Sequence, residues 1–553
     1  LPEPQQAFCE TLIDLVSGSF AVAVERLLPF SDWVRLADLL HQAGRLEAAH
    51  LAYQKALAAN SRTRGVWHNF AVLCRLQKND EAARDAYQKA LEAEGPYAEG
   101  FYNLGNLHEA RGDYADAAQC YHQAIELKPG YAEAWYNLGV VLKHQSRWDE
   151  AEAAFKKAIA LRGDYSEAHN NLGMVLQARG EGGFQDAEQQ FRRAIEMSPV
   201  AAEAHNNLGV VLQLQHRFDE AATEFEKAAQ LRPDFANAQW NLSLMHLMRG
   251  DFLAAWPLFS ARIRITQRQS HPPEVPFPEW QGEGLVGKRI LIWPEQGLGD
   301  EIQFSRYASQ LKALGAATVT LVCKPSLYRL FQSLEGVDAC VELSHSPLRI
   351  PRHDFWAFSM SLPGRLGTCL ETIPAALPYL YARQPLPKIE EILQALVGKK
   401  VGLVWAGSKA HPNDAHRSLK GFADFLPLLD VPGIRFVSLQ VDDDEDAALL
   451  TSRGVARLGP LFSDFSDSAT AISQLDLVIC VDTATAHLAG ALGVATWVLL
   501  PFSGLDWRWL ARGTQSPWYP NVMKLFRQEK EMPWGAVVAS MGDALRRWAA
   551  ALD

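Results

Sequence analysis

Cysteine is scarce in this sequence and follows no metal-binding pattern. The seven cysteines are scattered, odd in number and never arranged as C-x-x-C. This usage argues against a disulfide framework and against a zinc site, and it is typical of a reducing compartment. We therefore expect a cytoplasmic protein.

Long apolar runs and an excess of positive charge are also missing. No apolar run approaches the length that spans a bilayer, and the first residues lack a basic stretch followed by an apolar one. The formal net charge of −11 argues against a general nucleic-acid binder, which would carry a basic face. We expect neither a membrane span nor a nucleic-acid partner, and the length predicts about three domains.

The first half of the chain repeats itself every 34 residues. Aromatic residues recur at this interval, and small residues and tyrosines follow them in the same register. The three series begin with Trp33, Trp67, Phe101 and Trp135, with Ala37, Ala71, Gly105 and Gly139, and with Tyr53, Tyr87, Tyr121 and Phe155. This pattern is typical of tetratricopeptide repeats. We predict an α-solenoid of about seven units over residues 30–270, after a helical cap at 1–29.

An asparagine recurs just before the small residue in most of the units. The ladder consists of Asn69, Asn103, Asn137, Asn171, Asn207 and Asn241. A carboxamide offers donors and an acceptor, so the ladder either clamps an extended peptide or forms hydrogen bonds inside the array. The array resembles the repeats of nucleocytoplasmic O-linked N-acetylglucosamine transferases. That resemblance implies a polypeptide acceptor on the concave face.

Four prolines in the segment 271–278 end the helical pattern and predict a linker at 271–280. Strand and helix patterns then alternate in two halves, 281–390 and 391–532, before a closing helix at 533–553. Two such Rossmann-like halves predict an α/β GT-B domain, although a dehydrogenase or an epimerase has a similar pattern. A dinucleotide site is not expected, because the turn after the first strand reads PEQGLGDE and lacks G-x-G-x-x-G.

Three polar segments follow predicted strands. In the first, Asp300 is either a general base for an acceptor hydroxyl or a helix-terminal carboxylate. In the second, Ser408 precedes Arg417 and Lys420, which suit a diphosphate but also fit a solvated loop. In the third, Asp482 precedes a predicted helix. Either the free N–H groups at the start of this helix bind a phosphate, or Asp482 or Thr483 is only the N-cap of the helix.

Together these segments resemble the heptosyltransferase-type (family 9) glycosyltransferases. The resemblance rests on GLGDEIQFSRY and VDTATAHLAGALG. It implies that Asp300 is the catalytic base and that Asp482 holds the donor sugar, while alanine replaces a family glycine at position 484. The implied donor-binding residues are Gln296, Gly297, Gly299, Ser408, Arg417, Lys420, Asp482, Thr483, Ala484, Thr485 and His487.

The expected function joins the two halves of the chain. We expect an inverting glycosyltransferase that moves a sugar from a sugar nucleotide to Ser or Thr of a protein held by the repeats. It resembles bacterial repeat-containing protein glycosyltransferases, including those that modify flagellin. The alternatives are a saccharide acceptor, as in lipopolysaccharide assembly, and a repeat scaffold with a degenerate glycosyltransferase-like domain.

No cofactor and no metal ion are expected. The acidic run Asp442–Asp446 contains D-x-D, but it opens a predicted helix and is interpreted as a solvated N-terminus. The tryptophans at 507, 509, 518 and 534 either stack on a base or sugar or pack a domain edge, and we favour packing for all except Trp507, which follows the predicted strand at 495–500.

Overall fold

The computed structural model describes residues 3–19, 22–23, 26–265, 271–343, 350–382, 386–411, 413–530 and 532–550. The described ranges include the whole of the predicted linker at 271–280. Each of the other predicted segments also contains residues that lie outside the described ranges. The chain forms two compact units, Leu1–Val211 and Leu212–Asp553. The first unit holds most of the repeats, and the second holds the last repeat helices together with two β-sheets.

The described part of the first unit consists of helices and the turns between them. Helix α1 (Glu3–Ser17) lies in the predicted cap. Helices α2 to α12 are Phe30–Gln42, Leu46–Ala59, Arg64–Leu76, Asp80–Glu94, Ala98–Arg111, Tyr114–Leu127, Ala132–His144, Trp148–Leu161, Ser166–Gln177, Phe184–Met197 and Ala202–Leu214. A 3-10 turn at Gly180–Gly183 precedes α11 and accommodates the insertion in the 34-residue period.

The small residues of the repeat allow two helices of a pair to approach closely. A Cβ atom on Gly105 would lie 2.6 Å from the ring of Tyr121, and one on Gly139 would lie 2.7 Å from the ring of Phe155. Both rings are fully buried. The sequence period therefore reflects the packing of a backbone against an aromatic ring, which only a very small residue permits.

The second unit begins with the end of α12 and continues through the last repeat helices. These are α13 (Phe218–Leu231), α14 (Ala236–Arg249), α15 (Phe252–Phe259) and α16 (Ala261–Arg264). Helix α14 ends at Gly250, whose φ of 88° is left-handed and suits glycine. The proline segment then runs beside the first sheet, because Trp356 N–H donates to Pro278 O at 3.0 Å and Trp280 N–H to Trp356 O at 2.7 Å.

The first sheet is parallel and has the order β3-β2-β1-β4. Its strands are β1 (Arg289–Trp293), β2 (Thr318–Cys323), β3 (Ala339–Glu342) and β4 (Phe355–Phe358), and they lie within the strands that the sequence pattern predicts at 289–295, 317–323, 338–343 and 354–359. The helices of this region are α17 (Leu298–Ser305), α18 (Tyr307–Ala313), α19 (Pro325–Phe331) and α20 (Leu362–Arg365). The sequence pattern predicts one helix at 300–314, but the structure has two helices there, α17 and α18, which meet at the buried Arg306.

The second sheet is also parallel and has the order β10-β9-β8-β5-β6-β7. Its strands are β5 (Lys399–Val404), β6 (Ile434–Ser438), β7 (Ala456–Arg457), β8 (Leu477–Val481), β9 (Thr496–Leu500) and β10 (Met523–Arg527). Every residue of β8 and β9 is buried, as in sheets covered on both faces. Strand β10 escapes sequence prediction because it reads MKLFR, a short edge strand with charges at two of five positions.

The remaining helices belong to the second sheet. They are α21 (Pro387–Gln394), α22 (Asp414–Arg417), α23 (Ala447–Ser452), α24 (Phe465–Ile472), α25 (Ala484–Ala491) and α26 (Trp534–Ala550). Helix α26 is the predicted closing helix, and its buried residues join the core of the sheet. No helix in the described ranges has both the length and the apolar character needed to cross a bilayer. The α/β content predicted for this region is present as two parallel sheets.

Candidate functional site

Loops at the carboxyl ends of four parallel strands supply the candidate site. Asp300 follows β1, Arg417 follows β5, Asp482 follows β8 and Arg508 follows β9. In open α/β sheets this edge is where ligands bind, because the loops and helix N-termini converge there. The sequence predicted the first three residues, and the structure adds the fourth.

A close contact between α17 and α25 joins the loops of the two sheets. A Cβ atom on Gly299 would lie 2.8 Å from Cδ2 of His487 and 3.4 Å from Cα of Ala484. Glycine is therefore required at position 299 because any side chain would push the two helices apart. Ala484 is the first residue of α25 and lacks a positive φ, so alanine in place of the family glycine creates no backbone strain.

Both carboxylate oxygens of Asp300 are occupied by donors. The Gly297 N–H donates to Oδ2 at 2.7 Å, which is the helix-terminal role considered from the sequence. Oδ1 accepts a hydrogen bond from Nη2 of Arg508, a residue of the loop after β9. Asp300 thus both caps the first turn of α17 and holds a charged group from the second sheet.

Arg508 is buried and bridges two carboxylates. Its Nη1 donates to both oxygens of Asp506 at 2.9 Å, and its Nη2 donates to Asp300. The guanidinium lies over the rings of Phe304 and Trp507, with its central carbon 5.4 Å and 4.7 Å from their centroids. Burial opposes the charge of Arg508, but Asp506 and Asp300 outweigh it and raise the pKa above its ordinary value.

Asp482 follows β8 and shares its surroundings with these groups. Burial and the charge of Asp506 raise the pKa of Asp482 to about 6, against the opposing effects of Trp509, Arg417 and Arg508. The neighbouring Thr483 has a buried Oγ1 without a hydrogen-bond partner in the described structure. This end of β8 therefore presents a carboxylate whose pKa is closer to neutral than usual and a hydroxyl without a hydrogen-bond partner among the described residues.

His487 is held in place by aromatic neighbours. Its Nδ1 lies 3.0 Å from the Tyr519 hydroxyl, and its ring stacks on Trp509 with centroids 5.2 Å apart. Burial, assisted by the charge of Arg508, lowers the pKa of His487 to about 3. The imidazole is therefore neutral, and it offers the site a hydrogen bond and no positive charge.

Of the two predicted phosphate cations, the structure brings only Arg417 to the cluster. Its Nη2 lies 2.5 Å from where a Cβ atom on Gly407 would be, and its buried Nε has no hydrogen-bond partner among the described atoms. The side chains of Lys420 and Ser408 are exposed. Arg417 acts on the pKa of Asp482, which places the two charges in one electrostatic neighbourhood.

The other predicted donor-binding residues are exposed or only partly buried. Gln296 is exposed and has a φ of 57°, and its carbonyl oxygen accepts a hydrogen bond from Nζ of Lys324. Gly297 caps α17 and is also exposed. Thr485 is partly buried in the first turn of α25.

The six ladder asparagines all lie on the first helix of their pairs. Four of them donate from Nδ2 within the array: Asn69 to Asp38, Asn137 to Asn106, Asn171 to Tyr136 and Asn207 to Asn170, at 3.1, 2.8, 3.1 and 3.0 Å. These bonds match the internal role considered from the sequence. The Oδ1 atoms of Asn69 and Asn137, and the whole carboxamide of Asn103, make no hydrogen bond within the described ranges. Asn241 lies in the second unit.

Two further predictions concern residues outside the cluster. In the acidic run, Asp443 is buried and accepts hydrogen bonds from Ser438 at 2.9 Å and from Arg457. Within the described ranges, no group of three or more His, Cys, Asp or Glu side chains is arranged to hold a metal ion. The tryptophans at 509 and 518 are buried, in agreement with packing, and Trp507, which was set apart from them, is buried as well.

Sequence reasoning missed Asp506 and Arg508. Both lie in the segment LDWRWL, of which the sequence analysis interpreted only the tryptophans. A signal was nevertheless present, because an acidic and a basic residue follow a fully buried strand at the edge where the other candidates lie.

A family model described as a tetratricopeptide repeat matches residues 34–99, 102–166, 170–230 and 212–267. The predicted repeats are thereby confirmed. Repeats of this kind suggest a peptide or protein partner, because they stack into an extended binding surface.

Solved repeat proteins resemble parts of the chain. One is YrrB, described as a TPR protein with an unusual peptide-binding site, with 28% identity, a TM-score of 0.31, and coverage of 34% of this chain and 95% of YrrB. Another is MamA, with 27% identity, a TM-score of 0.28, and coverage of 30% of this chain and 96% of MamA.

Among curated proteins, the chain is similar to Protein FlbA of Caulobacter vibrioides. The two are 29% identical over 361 residues, which cover 60% of this chain and 59% of FlbA. The chain thus spans about three fifths of the length of that relative. The matched part, 60% of 553 residues, is longer than residues 1–265, which include all the described repeat helices. The match therefore continues beyond the repeats. The N-terminal region is therefore a tetratricopeptide-repeat scaffold, and FlbA is a distant relative of the chain.

Proposed function

We propose that the α/β region is a GT-B glycosyltransferase that moves a sugar from a sugar nucleotide to a hydroxyl group, with inversion and without a metal ion. The observation that carries this proposal is the cluster in which a carboxylate, Asp300, lies beside a buried guanidinium, Arg508, at the carboxyl ends of parallel strands. A carboxylate suits the proton of an acceptor hydroxyl, and guanidinium groups suit a diphosphate.

The proposed reaction is a single displacement. Asp300 takes the proton of the acceptor hydroxyl while its oxygen forms a bond to the anomeric carbon of the donor. The bond from that carbon to the diphosphate breaks, and the electron pair leaves with the nucleotide. Arg417, Arg508 and the first N–H groups of α25 stabilise the charge that develops on the leaving group.

The proposed acceptor is a Ser or Thr side chain of a polypeptide bound along the repeats. The Oδ1 atoms of Asn69 and Asn137 and the carboxamide of Asn103 have unused hydrogen-bonding capacity among the described residues. An extended peptide has amide N–H groups for such acceptors whatever its side chains. This arrangement supports recognition of backbone, with limited dependence on the sequence of the acceptor.

The donor site is tested by thermal unfolding with nucleoside diphosphates and sugar nucleotides, in buffer with a chelator. A ligand of the native state raises the melting temperature by mass action, and the effective base identifies the donor class. Activity is then measured for Asp300→Asn, with the exposed Asp430→Asn as the matched control. Retained transfer by a folded Asp300→Asn protein would remove the proposed base. The absence of any nucleotide effect would favour the scaffold alternative.

The acceptor class is tested by assaying the full chain with peptide acceptors and with saccharide acceptors. We expect Asn103→Ala to raise KM for a peptide acceptor and to leave KM for the sugar nucleotide unchanged. Gln123→Ala, on the second helix of the same pair, is the control because its side chain is exposed. Transfer to a saccharide but not to peptides would favour the alternative acceptor.

A further inference from the structure

Arg508 connects the two sheets through a charged contact with the proposed catalytic base. It lies in the loop after β9 of the second sheet, and it donates to Asp300 at the end of β1 in the first sheet. Its second carboxylate partner, Asp506, lies two residues away in its own loop. The guanidinium therefore joins the proposed proton acceptor to the loop of the opposite sheet.

Unsatisfied polar atoms surround this position. Nε of Arg508 and Oγ1 of Thr483 are buried and have no hydrogen-bond partner among the described residues, and the buried Nε of Arg417 has no hydrogen bond there but an ion pair with Asp414 at 3.6 Å. All three belong to loops at the same edge of the second sheet, and both arginines act on the charge of Asp482. A buried donor left unpaired destabilises a protein, so several of them at one place indicate a bound group with many acceptor oxygens.

We propose that Arg508 binds the diphosphate of the donor, and that Asp300 and the diphosphate compete for its guanidinium. This inference rests on the proposed function. In the ligand-free molecule Oδ1 of Asp300 is bound to Arg508. A diphosphate provides more negative charge and more oxygens than one carboxylate, so it draws Nη2 away and leaves Oδ1 available to an acceptor hydroxyl.

The consequence is a coupling between the two substrates. The acceptor proton transfers to Oδ1 of Asp300 only after the donor has bound, because until then that oxygen accepts from Arg508. When the bond to the anomeric carbon breaks, the additional negative charge on the diphosphate arises beside the same guanidinium. The rings of Phe304 and Trp507 lie next to the guanidinium, with its central carbon 5.4 Å and 4.7 Å from their centroids, so they keep the group in place while its N–H groups exchange partners.

The test is calorimetric titration of the full chain with inorganic pyrophosphate and with nucleoside diphosphates. A charged hydrogen bond corresponds to about a tenfold to hundredfold change in affinity. We expect Arg508→Gln to weaken binding by such a factor and Arg508→Lys to weaken it less. Asp300→Asn is expected to tighten binding, because the guanidinium is then released. The exposed Arg512→Gln is the matched control and is expected to change nothing.

A double variant separates competition from simple repulsion between Asp300 and the ligand. If the two compete for Arg508, the gain from Asp300→Asn disappears in the Arg508→Gln background. A gain that persists there, or no gain from Asp300→Asn in the wild-type background, would overturn the inference. If Arg508→Gln fails to fold, the Arg508→Lys background replaces it, where a reduced gain is expected. A wild-type protein that binds neither pyrophosphate nor any nucleotide would instead overturn the proposed function.

Discussion

The buried ion pair between Arg262 and Glu295 allows a quantitative prediction about the second unit. Arg262 lies on α16 and Glu295 follows β1, and their side chains are 1% and 0% exposed. Two parallel hydrogen bonds of 3.0 Å and 2.8 Å connect them. Arg262 also donates to the carbonyl of Phe259 and to the hydroxyl of Ser361. We therefore consider the substitution Arg262→Met, which keeps an unbranched apolar stem and removes the charged guanidinium.

The expected cost follows from what the substitution leaves behind. Glu295 would remain buried without its counter-charge, and breaking a buried pair in this way costs about 3–5 kcal/mol. Replacing both residues by methionine removes both charges, so Arg262→Met/Glu295→Met is expected to recover most of that loss. The two substitutions are therefore strongly non-additive.

Urea unfolding followed by tryptophan fluorescence measures the effect. With an m value of about 3 kcal/mol/M, the single variant lowers the midpoint by about 1 M or more. The control is Arg193→Gln, whose pair with Glu196 is 3.0 Å long and more than half exposed on both sides. Such a surface pair contributes less than about 1 kcal/mol. A midpoint shift for Arg262→Met no larger than that of the control would refute this reasoning.

Three further predictions concern packing, protonation and a hydrogen bond within the repeat array. Gly139→Val forces a branched side chain against Phe155 and is expected to cost about 1–3 kcal/mol in urea unfolding. The pKa of His487 is about 3 in the folded protein, below the unfolded value of 6.5. The unfolded state therefore binds a proton as pH falls and the folded state does not, so the free energy of unfolding decreases below about pH 6.5. From pH 7 to 5, wild type should lose about 2 kcal/mol relative to His487→Gln. Asn137→Ala removes the hydrogen bond to Asn106 and should lower the melting temperature, as scanning calorimetry can measure.

The repeats were predictable from sequence because their packing is local. Each contact between a small residue and an aromatic ring, such as Gly105 with Tyr121, joins positions 16 residues apart and recurs at a fixed period. The strands of both sheets were predictable for a related reason, since parallel strands buried on both faces require apolar runs. Strand β10 lacks such a run, and it was missed.

The candidate site was only partly predictable because its key contact is not local. Asp300 and Arg508 are 208 residues apart, and no periodicity or motif relates them. Asp300 and Asp482 were found because each follows a strand and opens a helix, which is a local pattern. Arg508 lies in a loop without that pattern, so its role emerges only from the contact between the two sheets.

The last repeat helices and the loop that carries Arg508 form one packed structure. Trp507 contacts the rings of Phe252, Trp256 and Phe259, with centroids 6.0–6.2 Å apart. The N–H of Ala511 donates to the carbonyl of Met248 at 2.8 Å, so α14 holds the same loop through its backbone. The prolines that end the repeat pattern in the sequence thus do not mark the edge of the folded unit. A repeat helix, α15, therefore packs directly against Trp507, so within the second unit the residue before Arg508 depends on the last repeat for its position.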